Sequence, residues 1–286
     1  MVAGATASDA DPLGPSIGAK PEPPAQRTRA RRPVPSIVYP AATFAVVLGA
    51  IELTVRLLHI KEYLLPPPSK AISTMVGQWS LFLPETWVTF KEVIIGYGLS
   101  IAVAVPLAVA IVASPLFEKC IYPLLVTSQV VPKIALAPLF LIWLGYGTLP
   151  KILIVALLAF FPIVIDAVIG LRSIEFEKLY LARSMGANSL QTFFKLRLPN
   201  ALPSLFSGLK LAATFCVIGA VVSELVGATA GLGYLMIEAE GNLNTPVVFG
   251  AIGYLTLMGI AMFSVVAFIE RLAIPWHVSR RAANAH

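Results

Sequence analysis

Apolar residues in this chain come in long unbroken runs rather than in alternation with polar ones. Six such runs lie at roughly 37–58, 90–113, 120–144, 150–171, 203–226 and 247–272. Each approaches or exceeds the ~20 residues that carry a helix across ~30 Å of hydrocarbon at 1.5 Å per residue. The period-two alternation of lipid-facing strands is missing. The pattern predicts an all-α integral membrane domain over 37–275 with about six transmembrane helices.

The connections differ from one another in a useful way. Residues 1–36 carry Pro12, Pro15, Pro21, Pro23, Pro24, Pro33 and Pro35 with few large apolar side chains. Such a segment cannot bury enough surface to offset its chain entropy, so a disordered tail is expected. Arg27, Arg29, Arg31 and Arg32 then precede the first run, as a basic anchor does for a retained helix. If the N-terminus is cytoplasmic, the same side also collects Lys119, Arg172, Lys178, Arg183, Lys195, Arg197, Arg271, Arg280 and Arg281. The other side holds only Arg56, Lys61, Lys70, Lys91 and Lys151. By the positive-inside rule both termini, including a basic tail at 276–286, are expected to be cytoplasmic. The outer connection at roughly 59–89 contains LLPPPSKAI (64–72), whose prolines predict an extended entry into a short helix near Ser69.

Composition agrees with a bilayer as solvent. Of 286 residues, 57% are hydrophobic and 13% charged, against about 25% charged in soluble domains. The net charge of +6 sits between apolar runs and forms no basic stripe interleaved with aromatics, so no nucleic-acid partner is expected. Cys120 and Cys216 have no metal-ligand spacing and read as small buried apolar residues. His59, His277 and His286 fall near termini or interfaces and assemble no nucleophile–base or metal set. No metal, cofactor or catalytic constellation points to an enzyme.

The inner connection at about 172–200, RSIEFEKLYLARSMGANSLQTFFKLRLPNA from Arg172 on, is the informative one. Two short helices can be drawn, roughly 175–185 and 189–197. Gly186 ends the first, Asn188 or Ser189 caps the second, and Pro199 stops it before the next span. Leu179, Ala182 and Met185 recur at helical spacing, as do Phe193, Leu196 and Leu198. An amphipathic loop needs a protein surface to cover it, either its own helices or a second subunit.

The spacing Ala182-x3-Gly186-x9-Leu196-x-Leu198-Pro199 resembles the cytoplasmic coupling motif of bacterial ABC-importer permeases, Glu-Ala-Ala-x3-Gly-x9-Ile-x-Leu-Pro. Tyr180 and Leu181 stand where that family has Glu and Ala, and Leu196 replaces Ile. LLPPPSKAI, VPKIALAPLFLIWLGYG (131–147) and SELVGATAGLGYLM (223–236) resemble the nitrate/sulfonate/taurine branch, which includes permeases for thiamine-precursor pyrimidines. The resemblance implies a bacterial inner-membrane permease that works as a homodimer. Its implied partners are two ABC ATPase subunits, which bind ATP and Mg, and a periplasmic or lipid-anchored solute-binding protein. Ala182, Met185, Gly186, Ala187, Leu196, Leu198 and Pro199 would couple the chain to the ATPases. The chain itself has no GxxxxGK[ST] phosphate loop. The rival class is an ion-coupled secondary transporter, which would show internal repeats and midplane carboxylates on interrupted helices; no repeat relates the six runs.

Ionisable residues within spans are functional candidates because hydrocarbon penalises them. Glu52 and Arg56 are spaced for an i,i+4 ion pair. Lys133, about 13 residues into the third run, is expected about 20 Å along a continuous helix. It is a candidate for the substrate pathway, for pairing with Asp166 or Glu224, or for snorkelling. Asp166 and Glu224 lie near run ends, where interfacial placement is expected. Glu224, with Gly231 and Gly233 beyond it, resembles the family's external gate and substrate pathway. Glu238 and Glu240 are expected to be solvated outside.

Overall fold

The computed structural model describes residues 38–275, so both predicted tails, 1–36 and 276–286, lie outside the described residues. The chain divides into Met1–Val46, of which only the start of the first helix is described, and Val47–His286, which holds everything discussed below. The described residues are helical, with no strand among them. In order they form α1 (Val38–Leu57), α2 (Pro68–Gly77), α3 (Trp79–Ala113), α4 (Pro115–Ser128) and α5 (Ala137–Leu144). There follow α6 (Thr148–Arg172), α7 (Phe176–Ser184), α8 (Ser189–Thr192), α9 (Leu198–Gly227), α10 (Leu232–Gly241) and α11 (Thr245–Ala273).

Four helical stretches are long and apolar enough to cross a membrane unbroken: α3, α6, the continuous stretch Ser189–Gly227 that contains α8 and α9, and α11. A fifth span is broken: α4 and the segment Lys133–Leu144 meet at 89°. The first predicted run coincides with the 20-residue α1. Among the described residues there are therefore four unbroken spans, or five with the bent one, and α1 is not counted with them.

Two boundaries and one burial differ from expectation. The apolar run covers 90–113, but α3 begins at Trp79 and has 35 residues. At about 1.5 Å per residue it is roughly 52 Å long, well beyond the hydrocarbon thickness. Its polar-flanked first turns conceal a helix that packs on protein: Phe82 is fully buried and stacks on Tyr254 of α11 at 4.9 Å. The third run is not one helix. Pro132 has no N–H to give, the chain turns there, and Lys133–Leu136 form a short 3-10 turn before α5. Cys120 is exposed rather than buried, while Cys216 is buried as expected. The Pro-Pro-Pro entry behaves as predicted: α2 starts at Pro68, where a missing N–H costs nothing.

The core is α6, clasped by α9 and α3. A Cβ on Gly170 would lie 2.8 Å from the Ala201 carbonyl, one on Gly208 2.7 Å from the Pro162 carbonyl, and one on Gly219 3.0 Å from the Cα of Val155. Glycine at each crossing lets α6 and α9 approach backbone to backbone, and the pairing order makes them antiparallel. On the opposite side a Cβ on Gly96 of α3 would lie 2.7 Å from the Val155 Cβ. Val155 is thus held between two glycines on two helices, fully buried. Gly219→Leu should overpack this junction and destabilise the protein by about 1–3 kcal/mol. The expected reading is a lower melting temperature in detergent. Gly259→Ala, at a position with open space around it, should leave the melt unchanged.

Candidate functional site

The loop between α6 and α9 is built by local chemistry. Gly186 has φ +80° and closes α7. Its N–H donates to the Arg183 carbonyl at 3.0 Å, and the Ala187 N–H reaches back to the Ala182 carbonyl at 3.0 Å. These paired bonds define a Schellman cap, which asks for glycine at the left-handed position. Asn188 then opens α8 with a capping box: its Oδ1 accepts from the Gln191 N–H at 2.8 Å, and Gln191 Oε1 accepts from the Asn188 N–H at 3.0 Å.

Pro199 does not stop the second helix as expected. It sits in the first turn of α9, and Ser189–Gly227 runs on as one helical stretch. The helix absorbs the proline through a π turn at Phe193–Arg197, in which the Leu198 N–H reaches the Phe193 carbonyl. Widening the turn just before Pro199 accommodates a residue with no N–H to donate.

The apolar face of the loop also differs. Leu179, Ala182, Ala187, Phe193, Leu196, Leu198 and Pro199 are partly buried on their own chain. A second set points away. Phe176, Tyr180, Leu181 and Met185 on α7, with Leu190 and Phe194 beyond it, are all exposed, Met185 to 79%. Of the predicted stripe only Met185 belongs to the open face. Tyr180 and Leu181, the departures from the family motif, lie on that face too.

At the other end of α6 lies a buried cluster the sequence only partly announced. Glu92 of α3, Lys151 of α6 and Glu224 of α9 are 2%, 5% and 0% exposed. The Lys151 ammonium lies against Glu92 Oε1. That contact is close but poorly directed, and both Glu92 oxygens lack an aligned donor. Glu224 is better satisfied: it accepts from the Thr89 hydroxyl at 2.8 Å and from the Gly233 N–H at 2.6 Å. Thr89 in turn accepts from the Leu232 N–H at 2.9 Å, and Glu85 accepts from the Gly231 N–H. Three successive free N–H groups at the start of α10 are therefore capped by α3 and α9, where the helix dipole also favours carboxylates.

Gly231 and Gly233 are glycines for this reason. Gly231 has φ +119°, and a Cβ there would collide with the Glu224 carboxylate. A Cβ on Gly233 would lie 2.8 Å from the Glu224 Cβ. Glu224 is fully buried, not interfacial, because α10 folds over it. Its place is structural in this conformation, out of reach of a solute. Glu92 and Lys151 escaped the sequence reading because they sit 59 positions apart at run edges, where each passes for a topology signal.

Other charges meet partly as expected. Arg56 contacts Glu52 at 2.6 Å, and Glu52 also accepts from the Ser69 N–H at 3.0 Å, tying α1 to α2. Lys210 of α9 pairs with Glu270 of α11 at 2.8 Å, a contact across spans that the sequence did not suggest. Arg172 reaches Glu118 at 3.0 Å and covers the Tyr122 ring. Lys133 pairs with neither Asp166 nor Glu224: among the described residues no carboxylate lies within 4.0 Å of it. It donates to the Gln129 carbonyl at 3.2 Å and stands 4.4 Å over the Phe161 ring. Because the span is bent, the depth expected from a straight helix does not apply to it. Lys133 and Asp166 both line a cleft of about 480 Å³ between the broken span, α6 and α9. The described residues contain no group of three or more His, Cys, Asp or Glu able to hold a metal ion.

Removing Lys151 would leave two carboxylates buried with no countercharge, a loss of about 3–5 kcal/mol. Lys151→Met should therefore lower the detergent melting temperature sharply. Adding Glu92→Gln to that variant should recover most of the loss; a double variant no more stable than the single would show that Glu92 is not the group Lys151 neutralises.

Residues 95–275 match the family of binding-protein-dependent transport system inner membrane components. A formylaminopyrimidine transport permease of Halalkalibacterium halodurans is 36% identical over 238 residues, covering 83% of this chain and 95% of that protein. The taurine transport system permease of Escherichia coli is 28% identical over 250 residues, covering 82% and 88% respectively. An inward-facing structure of the MetNI methionine ABC transporter matches with a TM-score of 0.59 at 21% identity, covering 68% of this chain and 96% of that one. The chain is a member of the binding-protein-dependent transport family, a multi-pass permease subunit of an ABC importer and not an enzyme.

Proposed function

We propose that two copies of this chain form the translocation pathway of an importer driven by two separate ATPase subunits. ATP and Mg are bound by those subunits, and solute arrives on a periplasmic or lipid-anchored binding protein. The observation that carries the coupling is the open face of α7, where Phe176, Tyr180, Leu181 and Met185 remain exposed. Exposed apolar side chains clustered on a short capped helix between two spans suit a protein partner. In this reading α7 and α8 lie in the cytoplasm with both termini, and α2 and α10 face outward, as the lysine and arginine distribution favours.

Arg172 closes α6, three residues separate it from α7, and Ser189–Gly227 is continuous. A displacement of α7 by closing ATPases is therefore passed to α6 through a three-residue link and to α9 through the short capped turn at Gly186. Such differential contact in two states is what alternating access requires. The solute is a small polar compound of the kind for which the relatives are named, whether taurine, an aliphatic sulfonate or a formylaminopyrimidine.

Gly186 tests the assignment. A Cβ there meets nothing within 4 Å in the chain itself, so a side chain would act through backbone conformation or through a partner. Gly186→Asp should leave membrane insertion intact and abolish uptake. Gly186→Asn, which tolerates the left-handed region, should retain part of it. A Met185→Cys protein should cross-link to a P-loop ATPase subunit in native membranes. Full solute-stimulated ATPase activity in the Gly186→Asp complex would show that the loop does not couple.

A further inference from the structure

Among the described residues, the carboxylates packed between the spans are held by a lysine or by neutral donors. Glu92 pairs with Lys151 and Glu270 with Lys210, while Glu224 is held by the Thr89 hydroxyl and the Gly233 N–H. Lys133 and Asp166 stand apart from this pattern. Neither has an oppositely charged partner within 4.0 Å among the described residues, and both line the same cleft of about 480 Å³.

Three further features make the cleft polar where its walls are otherwise apolar. Pro162 cannot donate to the Leu158 carbonyl, so that acceptor is released from the α6 ladder, and both residues line the cleft. The break after α4 exposes the Gln129 carbonyl, which Lys133 meets at 3.2 Å. Gly208 of α9 makes room for Asp166, whose Cβ would lie 2.7 Å from a Cβ at that position. The aromatic rings of Phe161 and Phe215 complete the lining. The volume falls within the range of small-molecule sites, and convergent polar groups on an apolar wall are their usual composition.

The geometry points to a solute subsite in which Lys133 receives an anionic group and Asp166, with the Leu158 carbonyl, receives an amine or other N–H donor. The favoured ligand is therefore a small dipolar solute, negative at one end and amino-bearing at the other, with any ring or methylene stem against Phe161 and Phe215. Asp166 becomes a specificity residue beside Lys133: it disfavours a simple anion, which Lys133 alone would accept. The two groups line one cleft without pairing, so a ligand carrying both charges can meet each of them. This assignment rests on the permease reading, but its test needs no ATPase or binding protein, so the two can fail separately.

The full-length chain in lipid nanodiscs, which leave both faces open, is made cysteine-free with Cys120→Ser and Cys216→Ala. Leu211→Cys, on the cleft wall, is then the reporter. It is labelled with methanethiosulfonates bearing either a sulfonate or a trimethylammonium group. The ratio of sulfonate to ammonium labelling rates should fall about three- to tenfold with Lys133→Met and rise by a similar factor with Asp166→Asn, as charges a few ångströms from the reporter dictate. Taurine should slow labelling more than ethanesulfonate at equal concentration, and Asp166→Asn should remove that difference. Labelling of an exposed Leu64→Cys control without labelling of Leu211→Cys would overturn the subsite. Rates indifferent to both charge substitutions would do the same. Taurine protecting no better than ethanesulfonate would overturn the preference for a dipolar solute.

Discussion

A charged group inside hydrocarbon must find its counterpart within the protein, and this requirement organises the molecule. Lys151 of α6 pairs with Glu92 of α3, and Thr89, one turn along α3, hydrogen-bonds Glu224 of α9. The free N–H groups at the start of α10 need acceptors, and Glu85, Thr89 and Glu224 supply them. The outer helix is thereby fastened to the bundle at its first turn by the same side chains that balance charge below it. Paired burial of this kind contributes little net stability compared with an apolar packing, but it penalises any arrangement that separates the partners. Glycine at 231 and 233 is the steric condition for it.

Helix α6 connects this cluster to the loop at the other end. Lys151 lies one turn into it, Val155 fits between Gly96 and Gly219, Asp166 opens on the cleft, and Arg172 closes it against Glu118 of α4. Close glycine contacts with α9 run along its length, so α6 and α9 move as a pair or not at all. Close-packed interiors transmit displacement because they cannot absorb it. The broken span beside them is packed differently. It meets α6 around an open cleft rather than along a ridge of small residues, and that is where charges remain unmatched.

Much of this was legible in the chain. The apolar runs placed every long helix, since a segment of about 20 apolar residues has few other stable solutions. The Pro-Pro-Pro entry located α2, and Gly186, Ala187 and Asn188 located the turn between α7 and α8 because caps are local chemistry. The glutamate and arginine at 52 and 56 paired at helical spacing. Local spacing failed where the partner lay on another helix. Pro199 is carried through a π turn whose value depends on the continuous helix it serves. Leu179 turns toward the end of α6 and Val112 of α3, and Tyr180 outward.

What the sequence determined alone was therefore the solvent, the run of helices, their caps and the family to which the loop motif belongs. These follow from contacts a few residues apart and from total apolar length. The tertiary structure decided which charges meet, where the third span bends, which face of α7 stays open, and that Lys133 shares a cleft with Asp166. Those facts join residues 33 to more than 130 positions apart. No periodicity reports them; only the packing of one helix against another brings their side chains within reach.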